Sequence, residues 1–240
     1  LEYIAKLRWP KGFICPGCGE KTDKPSLMGR GLFLCRKCKR QTSITAGTLF
    51  HGSHKPLRTW FLAMWFVTSQ KHGASALGLK RVLDLGSYQT AWTWLHKMRR
   101  AMVRPGRDRL AGAVEVDETL IGGPEEDVHG RETYDKAIVV IAAERRGRAI
   151  GRVRLRRIED ASGEQLIPFV EDFIKPGSLI ITDGWPGYAG LESLSYRHEV
   201  KNIKRSGEPA HKLLPRVHRV ASLLKRWLLG TLQGGVQANH

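Results

Sequence analysis

Residues 113–119 read AVEVDET and residues 178–185 read SLIITDGW. In the first stretch Val114 and Val116 alternate with Glu115 and Asp117, the period of a strand with one apolar face. In the second, β-branched residues run up to Asp183, and the run breaks at Gly184. Two carboxylates carried to neighbouring strand ends can hold divalent metal for phosphoryl transfer on nucleic acid.

Residues 136–144 (KAIVVIAAE) and 149–157 (AIGRVRLRR) read as two more strands, with Gly147 in the turn of a hairpin. Residues 160–174 read as a helix that buries Leu166, Phe169, Val170 and Phe173. After the strand at 178–183, Pro186 opens a short helix through Leu194, a strand runs near His198–Ile203, and a last helix covers 216–229. This order predicts an α/β domain with a mixed sheet. It matches the ribonuclease-H-like fold, in which the first and fourth strands are neighbours, so Asp117 and Asp183 converge. On the last helix Val217, Val220, Ala221, Leu224 and Leu228 form the buried face. His218, Ser222, Lys225 and Leu229 form the next stripe, which puts His218 and Lys225 two turns apart on one side. His218 is a candidate to complete a metal site or orient water, and Lys225 to contact a phosphate. The competing reading is a solvated basic helix with an incidental histidine.

The charge pattern frames this core. The net charge is +17 over 240 residues, which points to a polyanionic partner. Residues 1–110 carry 21 Lys/Arg against 5 Asp/Glu, residues 111–199 carry 11 against 17, and residues 200–240 carry 8 against 1. An acidic middle between basic flanks suits a nucleic-acid binder with an embedded metal-binding core. No apolar run approaches the roughly 18–20 residues of a membrane span, and no signal peptide is read, so a cytoplasmic, nucleoid-associated protein is expected.

All four cysteines fall in one pattern, Cys15-x-x-Cys18 and Cys35-x-x-Cys38. Two such knuckles predict a tetrahedral zinc held by four thiolates, with disulfides or a redox CxxC as the competing readings. Residues 1–50 are therefore read as a zinc ribbon. Residues 51–110 are read as a helical segment with helix-turn-helix character: a helix at 57–70, another at 74–84, and a third at 88–102 capped by Ser87. On the third helix Ala91, Leu95, Met98 and Met102 face inward. Gln89, Thr93, His96, Lys97 and Arg100 face outward, and Gln89, Thr93, Lys97 and Arg100 are the candidate DNA contacts. A plain three-helix bundle competes with this reading, and Trp92 and Trp94 are read as packing residues. Residues 111–240 then form the catalytic domain.

Taken together, the ribbon, QTSITAGTLFHGSHKPLRTWF, VEVDETLIGG, ITDGWPGY and LLKRWLLGT resemble ISXO-type bacterial insertion-sequence transposases of the DDE class. The resemblance covers nearly all of residues 7–236. It implies a ribonuclease-H-like domain using Mg2+ or Mn2+, with Asp117 and Asp183 as the first two acids. It also implies binding of terminal inverted repeats, strand cleavage and strand transfer to target DNA, and a homo-oligomer on DNA. Many relatives carry Asn-x-x-Glu with a lysine seven residues after the glutamate. Aligning that lysine on Lys225 puts His218 at the glutamate position and Pro215 at the asparagine position. His218 is either a working third ligand or the mark of a weakened copy. Relatives continue beyond Gly235 through a further helix, so the resemblance implies a shortened end. The alternatives are a ribonuclease-H-like nuclease without strand transfer and a catalytically inactive zinc-ribbon/helix-turn-helix DNA binder.

Overall fold

A computed structural model describes residues 2–22, 25–104, 106–123, 125 and 133–232. They divide into two compact units, Leu1–Thr68 with Leu79–Val103, and Ser69–Gly78 with Arg104–His240.

In the first unit α1 (Glu2–Arg8) precedes five short strands: β1 (Phe13–Ile14), β2 (Lys21–Thr22), β3 (Ser26–Met28), β4 (Leu32–Leu34) and β5 (Gln41–Ser43). β1 pairs with β2, and β3, β4 and β5 form a second antiparallel sheet. Helix α1 lies outside the sequence expectation, since a helix of seven residues that buries only Ile4 leaves no periodic trace. Ile4, Phe13, Phe33 and Ile44 pack with Cys15 and Cys35, and the Phe13 and Phe33 rings stack at 5.3 Å. So small a core calls for a further staple.

Helices α2 (Leu57–Ser69), α3 (Ala76–Val82) and α4 (Tyr88–Met102) follow. Ser87 caps α4 as expected, its hydroxyl accepting from Thr90 N at 3.1 Å. Trp94 stacks on the fully buried Trp60, with ring centroids 3.7 Å apart. Ala91, Leu95 and Met98 are buried, but Met102 is exposed because the helix ends there. Trp92 is exposed against His96 and is not a core residue, contrary to the packing role expected for it.

The second unit is built on β6 (Ala113–Ile121), β7 (Ala137–Arg146), β8 (Ala149–Ile158), α5 (Gly163–Phe173), β9 (Leu179–Thr182) and β10 (Arg197–Val200). Three helices close it: α6 (Ile203–Ser206), α7 (Ala210–Leu213) and α8 (Pro215–Leu232). The sheet order is β10-β9-β6-β7-β8. β6, β7 and β8 run antiparallel in turn, whereas β9 is parallel to β6 and β10 to β9. The first and fourth strands of the domain are neighbours in this mixed ribonuclease-H-like sheet, as the sequence predicts. One face packs Leu166, Phe169 and Val170 of α5 onto Val114, Val116, Val140 and Ile180. The other packs Leu214 and Val217 onto Ile141, Ala143 and Ile181. Fully buried aliphatic and aromatic side chains contribute about 1.5–3 kcal/mol each, so both helices are firmly seated.

Two expected elements differ. The single helix over 186–194 is two short 3-10 turns, Pro186–Tyr188 and Glu192–Leu194, with Ser195 left-handed after them. The strand expected at His198–Ile203 is Arg197–Val200. It ends there because Asn202 caps α6, its side chain accepting from Arg205 N.

Candidate active site

Strand register brings the two aspartates together. The last recorded β6–β9 pair is Glu115 with Ile181, and two residues further along each chain stand Asp117 and Asp183. Alternation puts Asp117 on the face of Glu115, which is the face that α8 covers. Asp117 Oδ1 accepts from Glu118 N at 2.9 Å, and Asp183 Oδ1 accepts from Trp185 N at 3.0 Å. Each carboxylate is thus oriented by the backbone that follows it. Gly184 allows the chain to turn there. Its φ is +87°, and a Cβ would lie 2.5 Å from Val200 Cγ1.

Helix α8 supplies the third member. His218 Nε2 lies 3.4 Å from Asp117 Oδ2, yet it is buried and has no hydrogen-bond partner. Burial, and then the neighbouring His211, push the imidazole below its ordinary value, against the pull of Glu115 and Asp183. A neutral ring makes no ion pair, so the short separation is not a salt bridge. It is an unmet donor or acceptor aimed at a carboxylate. Among the described residues these three do not form a closed cage, since only the four cysteines bring three or more ligand atoms within 4.8 Å of one another. Mg2+ suits an open site: it keeps several waters and takes one or two carboxylates together with substrate phosphate oxygens. Asp117 lies mid-strand in β6, not at its end as the sequence reading placed it, and Asp183 stands just past the end of β9; the orphaned Nε2 facing Asp117 fits such an ion. Lys225 is exposed two turns further along α8, about 10 Å from His218 along the axis. It lines a cleft of about 340 Å3 with Leu120, Gly122, Gly123, Leu228 and Leu229.

Two residues near the site matter more than the sequence suggested. Glu115 is fully buried and accepts from Arg216 N at 2.7 Å, Val217 N at 3.2 Å, Arg216 Nη1 at 2.9 Å and Arg145 Nε at 3.0 Å. Its carboxylate therefore sits on the N-terminal N–H groups of α8, in the same first turn as His218, where the helix dipole favours negative charge. Alternation had already placed Glu115 on the Asp117 face, but not its partners. Glu118 faces the other way and accepts from the buried Tyr188 hydroxyl at 2.5 Å. That bond ties the strand carrying Asp117 to the turn after Asp183.

In the first unit Cys15 Sγ lies 3.6 Å from Cys38 Sγ, and Cys18 Sγ lies 3.6 Å from Cys35 Sγ. Disulfide sulfurs stand about 2.05 Å apart, whereas four sulfurs about 2.3 Å from one zinc stand roughly 3.8 Å from each other. The geometry fits a structural zinc. Hydrogen bonds from the backbone at Cys18 and Gly17 pull the Cys15 thiol down to about 6, whereas the Glu20 backbone hydrogen bond is outweighed at Cys18, where burial and the other three sulfurs push the thiol up to about 12, so without a metal Cys15 and Cys18 hold their protons unequally. On α4, Gln89, Lys97 and Arg100 are exposed and Thr93 is half-buried, on the side away from Ala91, Leu95 and Met98.

The sequence profile of the ISXO2-like transposase domain matches residues 109–239. The chain belongs to this transposase family. The transposase zinc-ribbon domain matches residues 1–41. An uncharacterised protein in the transposable element ISH50 of Halobacterium salinarum is 28% identical over 246 residues, covering 94% of this chain and 81% of that relative. Among solved structures, a chain of the simian T-cell lymphotropic virus intasome in complex with PP2A regulatory subunit B56 gamma aligns at 17% identity and a TM-score of 0.32. It covers 71% of this chain, which in turn spans 58% of that one. The Mos1 transposase paired-end complex with its left transposon end aligns at 14% identity and a TM-score of 0.31, covering 74% of this chain and 67% of that one. These scores are too low for either likeness to bear on the site.

Proposed function

We propose that this transposase-family chain cleaves DNA strands at the inverted-repeat ends of a mobile element and joins them to target DNA. The observation that carries the reading is the convergence of Asp117, Asp183 and His218. The two acids stand two residues beyond the last pair of adjacent parallel strands, and an unpartnered imidazole nitrogen faces one of them. Asp117 and Asp183 are the residues that would hold Mg2+ or Mn2+, with His218 as third ligand. When bound, such ions activate the attacking oxygen and stabilise the leaving 3′-oxygen. The backbone N–H groups of Glu118 and Trp185 orient the carboxylates, and Glu115 fixes the helix that presents His218. Lys225 is assigned to a phosphate of the strand in the site. The ribbon, held by zinc, and α4, through Gln89, Thr93, Lys97 and Arg100, grip the DNA ends, and pairing two ends requires a homo-oligomer.

The test incubates the full chain with a labelled inverted-repeat end, a target plasmid and Mg2+ or Mn2+. Joined product is expected, and Asp183→Ala is expected to abolish it. Joining that survives Asp183→Ala at full rate removes the metal-site assignment. Nicking without joining reduces the reading to a nuclease, and binding alone reduces it to a DNA-binding protein. His218→Glu separates the two roles open to His218: a working ligand loses or keeps activity on this change, and a degraded one gains it.

A further inference from the structure

A groove of about 600 Å3 lies between the β7–β8 turn and the first turns of α8, lined by Arg148, Ala149, Ile150, Pro215, Arg216 and Arg219. Arg216 builds it. Its Nη2 donates to Gly147 O at 2.6 Å, its Nε to Ala149 O at 3.3 Å, and its Nη1 to Glu115 Oε1 at 2.9 Å. One guanidinium thus ties the hairpin turn to the helix across 69 residues of sequence. Arg148 and Arg219 are displayed on this frame. Both are exposed, and neither forms an ion pair among the described residues. The nearby carboxylate, Glu115, is fully buried and already matched by Arg145 and Arg216, so it does not cancel them. It also occupies the helix N-terminus, which leaves the guanidiniums as the anion-binding groups. Ala149, Ile150 and Pro215 bring no polar side-chain atom with which to read a base edge. Arg219 shares the first turns of α8 with His218, so the groove opens at the end of the helix that carries the candidate third ligand.

We infer that this groove binds the phosphodiester backbone of DNA at the start of α8, through Arg148 and Arg219, without regard to base sequence. The inference rests on the proposed action on DNA and adds a contact surface to it. Guanidinium pairs with phosphate in a bidentate fork, and each phosphate neutralised releases counterions. Affinity should therefore fall with salt, and the dependence should weaken by about one in the log–log slope for each arginine removed.

The experiment measures binding of the full chain to an inverted-repeat duplex and to a scrambled duplex of equal length across a salt titration. Variants are Arg148→Gln, Arg219→Gln and the double change, with Lys175→Gln as an exposed, charge-matched control outside the groove. Expected are a slope reduced by roughly two in the double variant and an affinity loss of about tenfold per arginine near 0.1 M salt, equal for both duplexes. The melting temperature and the control should stay at wild-type values. An unchanged slope and affinity in the double variant overturns the inference while leaving the proposed function standing. A loss confined to the inverted-repeat duplex also overturns it, because that outcome means base reading. If the wild-type chain binds neither duplex, the DNA reading itself fails, and this inference with it.

Discussion

At Glu115 one carboxylate answers two arginines and two backbone N–H groups in a place with no solvent. Removing it leaves Arg145 and Arg216 facing each other and the start of α8 unsatisfied. Glu115→Ala should therefore cost about 3–5 kcal/mol of stability, measured by chemical denaturation. Tyr188 gives a subtler test. Burial first, and then Glu118, raise its phenol well above 10, so it stays protonated in the fold where an unfolded tyrosine ionises. Its bond to Glu118 then contributes about 1–2 kcal/mol below pH 10, and the contribution declines as pH rises from there towards the folded value. The stability gap between wild type and Tyr188→Phe should be constant at neutral pH and shrink above pH 10 in denaturation curves. Asp183 was legible because it closes an apolar run, and Asp117 because it alternates with Val114 and Val116. The role of Glu115 was not, since its partner Arg216 lies 101 residues away and nothing local marks the meeting.

The elements that were legible are those with a clean period. β6 and β8 alternate, β7 is the continuous apolar run of a strand covered on both faces, and α4 and α8 carry full stripes, so their sequences report their neighbours. The segment 186–194 misled because Pro186 looks like a helix start. Gly187, however, is packed so closely that a Cβ would meet Ala161 O at 2.7 Å, and the segment forms two short 3-10 turns. The β7–β8 hairpin also holds a brace invisible to periodicity. A register shift falls between Ala143 and Arg145, and there Glu144 Oε1 accepts from Arg152 Nη2 at 2.7 Å and from Ala111 N at 3.1 Å. Arg152, with the Ala111 N–H, lowers Glu144 from 4.5 to about 2. A depressed carboxylate stabilises the fold above its unfolded value and loses that effect as pH falls through the folded one. Urea midpoints of wild type and Glu144→Gln should differ at pH 7 and converge as pH drops from 4.5 to about 2.

On the scale of the molecule, two units rely on different sources of stability. The sheet unit buries two cores, one under α5 and one under α8. The ribbon buries a handful of side chains, two of them cysteines whose sulfurs belong to the four-thiolate cluster. Cysteine spacing made that cluster readable, whereas the division of the chain into units depends on contacts that sequence does not display. A domain of this size without sufficient core draws its folding free energy from the metal, so the metal and the local fold should be lost together. Adding a strong zinc chelator should release about one zinc per chain. Hydrogen exchange should then show lost protection across residues 13–43, while residues 113–121 and 137–158 keep theirs. Acidification acts in the same direction, because thiolates must be deprotonated to hold zinc. Ribbon amides that stay protected after the metal has gone would show that Phe13, Phe33 and Trp9 suffice without it, and the ribbon would then have to be counted as a self-supporting module.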